Sequence, residues 1–139
     1  MLFHPSSEHI PFDADLNYFV GAFDIYDREK TKGKVLACFN PNEHKDRETL
    51  ILDHCLDPLN KLSYRHRYKL VANLLRALNT EDFHFAYYFE DDPDAYSKMA
   101  WDETEIADPR GFFADIYRLA IEVWKDDLRK ASLEDQSTW

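Results

Sequence analysis

Apolar residues recur every three to four positions in two stretches of the chain, and this spacing predicts two amphipathic helices. In residues 63–79 the apolar positions are Tyr64, Tyr68, Val71, Leu74, Leu75 and Leu78. In residues 112–128 they are Phe113, Ile116, Tyr117, Ala120, Val123 and Trp124. A period near 3.6 residues places such positions on one side of a helix. Ser63 precedes the first stretch and is predicted to be its N-cap.

Two shorter apolar runs carry residues that favour β-strands. KVLACF, residues 34–39, lies between polar segments, and FHFAYYF, residues 83–89, is rich in aromatic side chains. Runs of this length and composition are typical of strands. The sequence therefore predicts an α+β fold in which helices dominate and surround a small β-sheet.

Several other segments are predicted less directly. Asp13 is placed to cap a helix through residues 16–26, although residues 19–26 also fit a strand paired with residues 34–39. TLILDHCL, residues 49–56, fits either a helix or a strand that ends at Pro58. We predict a short helix over residues 95–101, and the remaining polar stretches are predicted loops. They are NPNEHKDRET at 40–49 and DETEIADPRG at 102–111.

The chain of 139 residues predicts one globular domain with an irregular leader, residues 1–12, and a frayed tail, residues 132–139. It contains 10 Phe, 8 Tyr and 3 Trp, which suffice for a sizeable core. No secretory signal pattern is visible, and the longest apolar run is too short to span a bilayer. Cys38 and Cys55 are then expected to be reduced and interior, in a cytoplasmic protein.

The net charge of −10 is concentrated in one part of the chain. Residues 81–108, which we call the acidic segment, contain ten acidic residues and one basic residue, Lys98. The acids are Glu81, Asp82, Glu90, Asp91, Asp92, Asp94, Asp102, Glu103, Glu105 and Asp108. A surface of this sign disfavours binding to nucleic acid or to an anionic membrane.

The stretch AFDIYDREKTKGKV, residues 22–35, superficially resembles a calcium-binding loop. If Asp27 is taken as the first ligand, glycine falls one position late, at Gly33, and Cys38 replaces the required terminal carboxylate. Three lysines in the same stretch would repel a Ca²⁺ ion. We therefore interpret these residues as a polar turn that closes at Gly33, where a positive φ is expected.

No arrangement of residues predicts a metal site, a cofactor or a catalytic centre. The six histidines lack metal-binding spacings, and HExxH, CxxC and GxSxG motifs are absent. Cys38 is expected to be inert because burial in an apolar run raises a thiol pKa. One enzymatic alternative is kept, a small metal-dependent hydrolase in which His54 or His84 lies beside two carboxylates.

The first predicted helix begins in a basic stretch, KLSYRHRYKL, at residues 61–70. Basic residues interleaved with tyrosines occur in nucleic-acid-binding helices. Here the tyrosines lie on the predicted buried face, and we expect the arginines to pair with the acidic segment. The stretch therefore predicts internal ion pairs rather than direct nucleic-acid binding.

The acidic segment combines carboxylates with aromatic side chains, which is the composition of a protein interface for a basic partner. The carboxylates predicted to face that partner are Glu90, Asp91, Asp92, Asp94, Asp102, Glu103 and Glu105. The predicted aromatic anchors are Tyr88, Tyr96 and Trp101. A solvated surface that only promotes solubility is the simplest alternative interpretation.

These features predict a non-enzymatic binding protein that neutralises a basic protein. In general character the chain resembles cytosolic immunity proteins, which protect bacteria from toxins of their neighbours. A nuclease-type toxin is the expected target because its active cleft must be positive to hold phosphate. An inhibitor that mimics DNA, with acids spread at phosphate-like spacing, is the first alternative.

Overall fold

The computed structural model describes residues 1–139, and the chain folds entirely with helices and loops. The α-helices are α1 (Asn17–Val20), α2 (Lys32–Leu36), α3 (His44–Leu50), α4 (Tyr64–Leu78), α5 (Pro109–Val123) and α6 (Lys125–Ser132). No β-strand forms; the extended contacts are isolated bridges at Phe3–Pro11, Asp24–Met99 and Asp92–Ser97. The prediction of an α+β fold with a small sheet is therefore wrong.

Helix α4 agrees with the helix predicted over residues 63–79. The Ser63 side chain accepts a hydrogen bond from the His66 backbone N–H, so the predicted cap is confirmed. Leu70, Val71 and Leu74 are buried in the core that α4 shares with α5 and α6. The local signals of period and capping residue were sufficient to locate this helix.

The second predicted helix, residues 112–128, is divided in the structure. Helix α5 begins at Pro109, and α6 follows after Trp124, whose φ of −102° and ψ of 19° interrupt the helical geometry. The Trp124 indole is buried and donates from Nε1 to Asn60 Oδ1 at 3.0 Å. This tertiary contact lies where the two helices join, and the apolar spacing does not reveal it.

The predicted strand at residues 34–39 is a helical turn. Within it only Leu36 is fully buried, while Val35 and Cys38 are exposed, so the run has one apolar face rather than two. The expectation of a buried Cys38 is therefore wrong. Cys55 is buried, and desolvation raises the pKa of its thiol.

The predicted strand at residues 83–89 is instead a 3₁₀ helix over Phe85–Phe89. Its aromatic side chains reflect core packing rather than sheet pairing, since Phe85 and Phe89 contact the rings of Phe112 and Phe113. The helix predicted over residues 95–101 is also wrong. A short 3₁₀ turn, Pro93–Ala95, ends at Tyr96 in the left-handed conformation.

Residues 40–49 contain α3 rather than the predicted loop. The Glu43 side chain caps this helix by accepting from the Lys45 and Asp46 backbone N–H groups. The chain continues as a π-helix, Ile51–Leu56, and a 3₁₀ helix, Asp57–Lys61. Residues 49–56, for which the sequence allowed either a helix or a strand, are thus helical.

The amino-terminal segment forms less helix than predicted. Only α1 and a 3₁₀ turn, Gly21–Phe23, lie within residues 16–26, and the N-cap of α1 is Leu16 rather than Asp13. The paired strands considered for this region do not form. The turn before α2 has its positive φ at Asp27, at 59°, whereas Gly33 is helical.

The tail, residues 132–139, makes side-chain contacts with α4. Trp139 is buried, its ring lies 5.8 Å from the Tyr68 ring, and Glu134 accepts hydrogen bonds from Tyr64 and Arg65. The leader, residues 1–12, contains no helix. None of the helices combines the length and the apolar character needed to cross a membrane.

Candidate functional site

The acidic segment is anchored in the core by its apolar residues. Phe89 is fully buried between Phe112 and Phe113, and Trp101 lies edge-to-face against Phe23 at 5.5 Å. The intervening carboxylates remain near the surface. The segment therefore buries its apolar side chains and exposes its carboxylates to solvent, although it contains no regular amphipathic helix.

Arg110 holds the start of the acidic segment against the end of α4. Its guanidinium donates to the carbonyl oxygens of Leu78 at 3.0 Å, Thr80 at 2.8 Å and Glu81 at 3.0 Å. It also lies over the Phe85 ring, 4.8 Å from the centroid. Arg110 thus uses its donors on backbone carbonyls and forms no ion pair with a carboxylate of the segment.

A second connection joins the acidic segment to the residues that follow α1. The Ile25 N–H donates to the Lys98 carbonyl at 2.7 Å, and the Ala100 N–H donates to the Phe23 carbonyl at 2.7 Å. Asp24 Oδ1 also accepts from the Lys98 N–H at 3.1 Å. These bonds bring Asp24 beside Lys98 of the acidic segment, although the two residues are 74 positions apart in sequence.

Several acids of the segment shape its loops by accepting backbone hydrogen bonds. Asp91 accepts from the Met99 N–H at 2.7 Å, and Asp108 caps α5 through the Gly111 N–H at 3.0 Å. Asp92, Asp102 and Glu105 accept similar bonds within their own turns. The Asp102 pKa is lowered by the Thr104 side-chain hydrogen bond and then by the Thr104 backbone. These five acids are accounted for by local structure.

The remaining acids are Glu81, Asp82, Glu90, Asp94 and Glu103. Glu90 lies 3.4 Å from His84, and the other four make no side-chain hydrogen bond within the protein. All five are exposed. They carry charge toward solvent without an evident structural role.

No acid of the segment forms an ion pair with lysine or arginine. The ion pairs of the protein are Arg47–Asp115, Arg65–Glu134, Arg67–Asp127 and Arg118–Asp115, and His44 and His84 contact Glu48 and Glu90 at 3.3 and 3.4 Å. The expectation that the basic residues of α4 pair with the acidic segment is therefore wrong. Arg65 pairs with Glu134 of the tail and Arg67 with Asp127 of α6, and no lysine or arginine lies within ion-pairing distance of an acid of the segment.

The predicted aromatic anchors differ in accessibility. Tyr96 is 69% exposed and is presented by its left-handed backbone, with its ring edge-to-face against Tyr26 at 5.5 Å. Tyr88 is half-buried against Phe113. Trp101 is only 9% exposed, so its prediction as an anchor is not supported by its position. Tyr87, which the sequence analysis did not select, is 59% exposed.

An acidic pocket opens between α1 and the acidic segment, with a volume of about 420 Å³. Its polar lining includes Asp24, Glu90, Asp91 and Asp92, and Tyr87 and Tyr88 form part of its wall. Of the predicted carboxylates, Glu90, Asp91 and Asp92 meet here, whereas Asp102, Glu103 and Glu105 do not line it. Asp94 is also outside the lining.

Negative charge from the amino-terminal segment reaches the same region. The pKa of Tyr88 is raised by burial and then by the charges of Asp15, Tyr87 and Asp13. Asp13, Asp15 and Asp24 are thus additional acids near the pocket that the sequence analysis did not assign. No spacing in the sequence indicates this proximity, because it depends on packing between distant segments.

Neither His54 nor His84 lies beside two carboxylates, as the alternative of a metal-dependent hydrolase requires. The His54 ring packs near Phe39 at 6.1 Å, and His84 has only Glu90 within ion-pairing distance. No three side chains from His, Cys, Asp and Glu are grouped in a way that suits a metal ion. The alternative of a metal-dependent hydrolase gains no support from this geometry.

Comparison with known proteins returned no match among protein-family models, curated proteins or solved structures.

Proposed function

We propose that this chain is a binding protein that neutralises a basic protein partner, as an immunity protein does for a nuclease-type toxin. One observation carries the proposal, namely that the ten acids of the acidic segment have no lysine or arginine ion-pair partner within the fold. Like charges held together repel, and a cationic partner relieves that repulsion.

The exposed tyrosines supply apolar contact area beside the acids. Tyr87 and Tyr96 are each more than half exposed, and the acidic pocket lies next to Tyr87. Aromatic residues frequently supply most of the binding energy of an interface, whereas a charged rim accelerates encounter and excludes partners of the same sign. This combination supports protein binding over DNA mimicry, for which a phosphate-like array of acids is sufficient.

In the proposed complex, a lysine or arginine of the partner enters the acidic pocket. Glu90, Asp91 and Asp92 of the segment, together with Asp24, line the pocket that receives this cation. Glu103 and Asp94 lie outside the pocket and act through the long-range field. When the cation belongs to a phosphate-binding cleft of a nuclease, the nucleic acid is excluded from that cleft.

The experiment compares two triple charge reversals with equal change in net charge. The test variant is Glu90→Lys, Asp94→Lys and Glu103→Lys, which avoids the acids that shape the loops. The control is Glu8→Lys, Glu29→Lys and Glu122→Lys, all exposed and without ion pairs. The partner is first isolated from the native host with the wild-type protein and identified by mass spectrometry.

Association rates are then measured with the purified partner at low and high salt. We expect the test variant to associate about 10-fold more slowly than wild type at low salt, with a smaller difference at high salt. The control variant should show a much smaller decrease. Equal association rates for wild type and the test variant, or capture of an acidic partner, would remove the acidic segment from the function.

A further inference from the structure

A second recess lies in the helical bundle, and it differs from the acidic pocket in both composition and location. It is a groove of about 410 Å³ lined by α4, α5 and α6, and it shares no residue with the acidic pocket. We call it the apolar groove. Its apolar residues include Val71 and Leu75 of α4, Ile121 of α5 and Leu128 of α6. Leu75 and Ile121 are 39% and 41% exposed.

The apolar groove contains no carboxylate, although the protein as a whole carries a net charge of −10. Its charged lining residues are Lys125 and Arg129, neither of which forms an ion pair. On the side of α4, Tyr68 and Ala72 separate the groove from a recess that contains Lys69 and Arg76 together with one acid, Asp13. Basic residues therefore border both sides.

The groove is two helical turns long. Its α4 wall runs from Tyr68 to Leu75 and its α6 wall runs from Lys125 to Ser132, eight residues each and therefore seven helical steps. At 1.5 Å per residue, this corresponds to about 10 Å. An amphipathic helix places its i, i+3, i+4 and i+7 side chains over the same length when it docks in a groove.

From these features we infer that the apolar groove binds an amphipathic helix of a partner protein, with acidic residues beside the apolar stripe of that helix. The exposed Leu75 and Ile121 receive the apolar stripe. Arg129 and Lys125, one turn apart on α6, meet carboxylates on one side of it. Charge complementarity selects such a helix over a basic one. This inference is independent of the function proposed for the acidic segment.

The two cations are not equivalent. Lys125 also borders a recess that contains Glu122 and Asp126, so part of its charge is already balanced. Arg129 does not line that recess, and no carboxylate forms an ion pair with it. We therefore expect Arg129 to contribute more to the recognition of an acidic helix than Lys125 does.

The test uses two synthetic peptides of 16 residues as probes. Both carry leucine at i, i+3, i+4 and i+7; one has glutamate at the flanking positions and the other has lysine. Binding is measured by fluorescence anisotropy at low salt in the Glu90→Lys, Asp94→Lys, Glu103→Lys background, because the acidic segment of the wild type would itself attract the lysine peptide. We expect the glutamate peptide to bind at least about 10-fold more tightly than the lysine peptide.

Five variants test the assignment to the groove. The double variant Arg129→Glu, Lys125→Glu should reverse the preference between the peptides. Arg129→Glu alone should change the ratio of the two affinities more than Lys125→Glu alone. Leu75→Ser with Ile121→Ser should weaken binding of the glutamate peptide. Val123→Ser is the matched apolar control, because Val123 is exposed on α5 but lies outside the groove. Circular dichroism establishes that each variant is folded.

Several outcomes would overturn the inference. They are equal affinity for the two peptides, no binding of the glutamate peptide, or a preference that survives Arg129→Glu with Lys125→Glu. A dimer of the unliganded protein that Leu75→Ser dissociates would assign the groove to a second copy of the chain. Binding of dodecanoate without binding of the glutamate peptide would assign it to an anionic lipid.

Discussion

The bundle of α4, α5 and α6 and the acidic segment hold their charges in different ways. In the bundle, Arg67 is buried, lies over the Trp124 ring at 5.4 Å and donates to Asp127 at 2.8 Å. In the acidic segment, Asp91 and Asp92 accept from backbone N–H groups, and no acid there pairs with lysine or arginine.

This difference separates charges that stabilise the fold from charges that are available to a partner. A buried arginine must be paired because an isolated charge is poorly solvated in the interior. An exposed carboxylate has no such requirement, and water can solvate it. The positive residues of the bundle are therefore partly used by the fold itself, whereas Asp94 and Glu103 remain free to contact another molecule.

The two regions are nevertheless expected to share one core, and Phe89→Ala tests this. Phe89 belongs to the acidic segment but is fully buried against Phe112 and Phe113 of α5. We expect a loss of about 3–5 kcal/mol in the free energy of unfolding, because a large cavity is left in the core. Urea denaturation measures it.

The matched control for Phe89→Ala is Tyr87→Ala, since Tyr87 lies two residues earlier but is mostly exposed. Its effect should stay within about 0.5 kcal/mol. Similar losses for the two variants would mean that the acidic segment does not contribute to the core as described.

Arg67→Ala tests the claim that basic residues of the bundle are structural. The substitution removes donors to the Leu62 carbonyl and to Asp127, together with the contact over Trp124. Asp127 keeps partial access to water, so we expect a moderate loss of about 2–3 kcal/mol in the free energy of unfolding. Thermal or urea denaturation checks this value.

Arg76→Ala is the control for Arg67→Ala, because Arg76 lies on the same helix, is exposed and forms no ion pair. Its effect should be within about 0.5 kcal/mol. Equal losses in the free energy of unfolding for the two variants would contradict the claim that Arg67 stabilises the fold and Arg76 does not.

The smallest expected effect concerns the pH dependence of the tail. The pKa of Glu134 is lowered by the hydrogen bonds of Tyr64 and then Arg65. A lowered folded-state pKa stabilises the protein at pH values above the unfolded value, and this contribution is lost as the pH falls through the folded value. Wild type should therefore be more stable than Glu134→Gln at neutral pH.

The difference between wild type and Glu134→Gln should decrease progressively below about pH 4.3, the ordinary value for a glutamate in an unfolded chain. Melting temperatures over a pH series measure it. Glu122→Gln serves as the control, because Glu122 is exposed and forms no ion pair. A difference that is independent of pH would contradict the role of the Glu134 carboxylate.

The local features of the sequence predicted α4 well, because period and capping are properties of neighbouring residues. The same reasoning failed for residues 34–39 and 83–89. A short apolar run is compatible with a strand or a helical turn, and only its partners distinguish the two. Here no second strand is available, and Phe85 and Phe89 pack on α5 instead.

The role of the candidate site stays a prediction, but the structure shows which of its residues are accessible. The acidic segment was identified from composition alone, and Tyr96 is exposed as an anchor requires. Trp101 was predicted as an anchor but is buried, because an aromatic residue among acids looks the same in sequence in either position. Asp24 was missed because its position beside Met99 depends on a contact between distant segments.

The sequence by itself determined the main helix and the concentration of negative charge in residues 81–108, since both are properties of adjacent residues. Only the tertiary structure decided which charges are neutralised. Arg67 and Arg110 are drawn to Asp127 and to backbone carbonyls by the packing around them. Electrostatic interactions weaken with distance and with exposure to water, so pairing depends on proximity in space rather than in sequence.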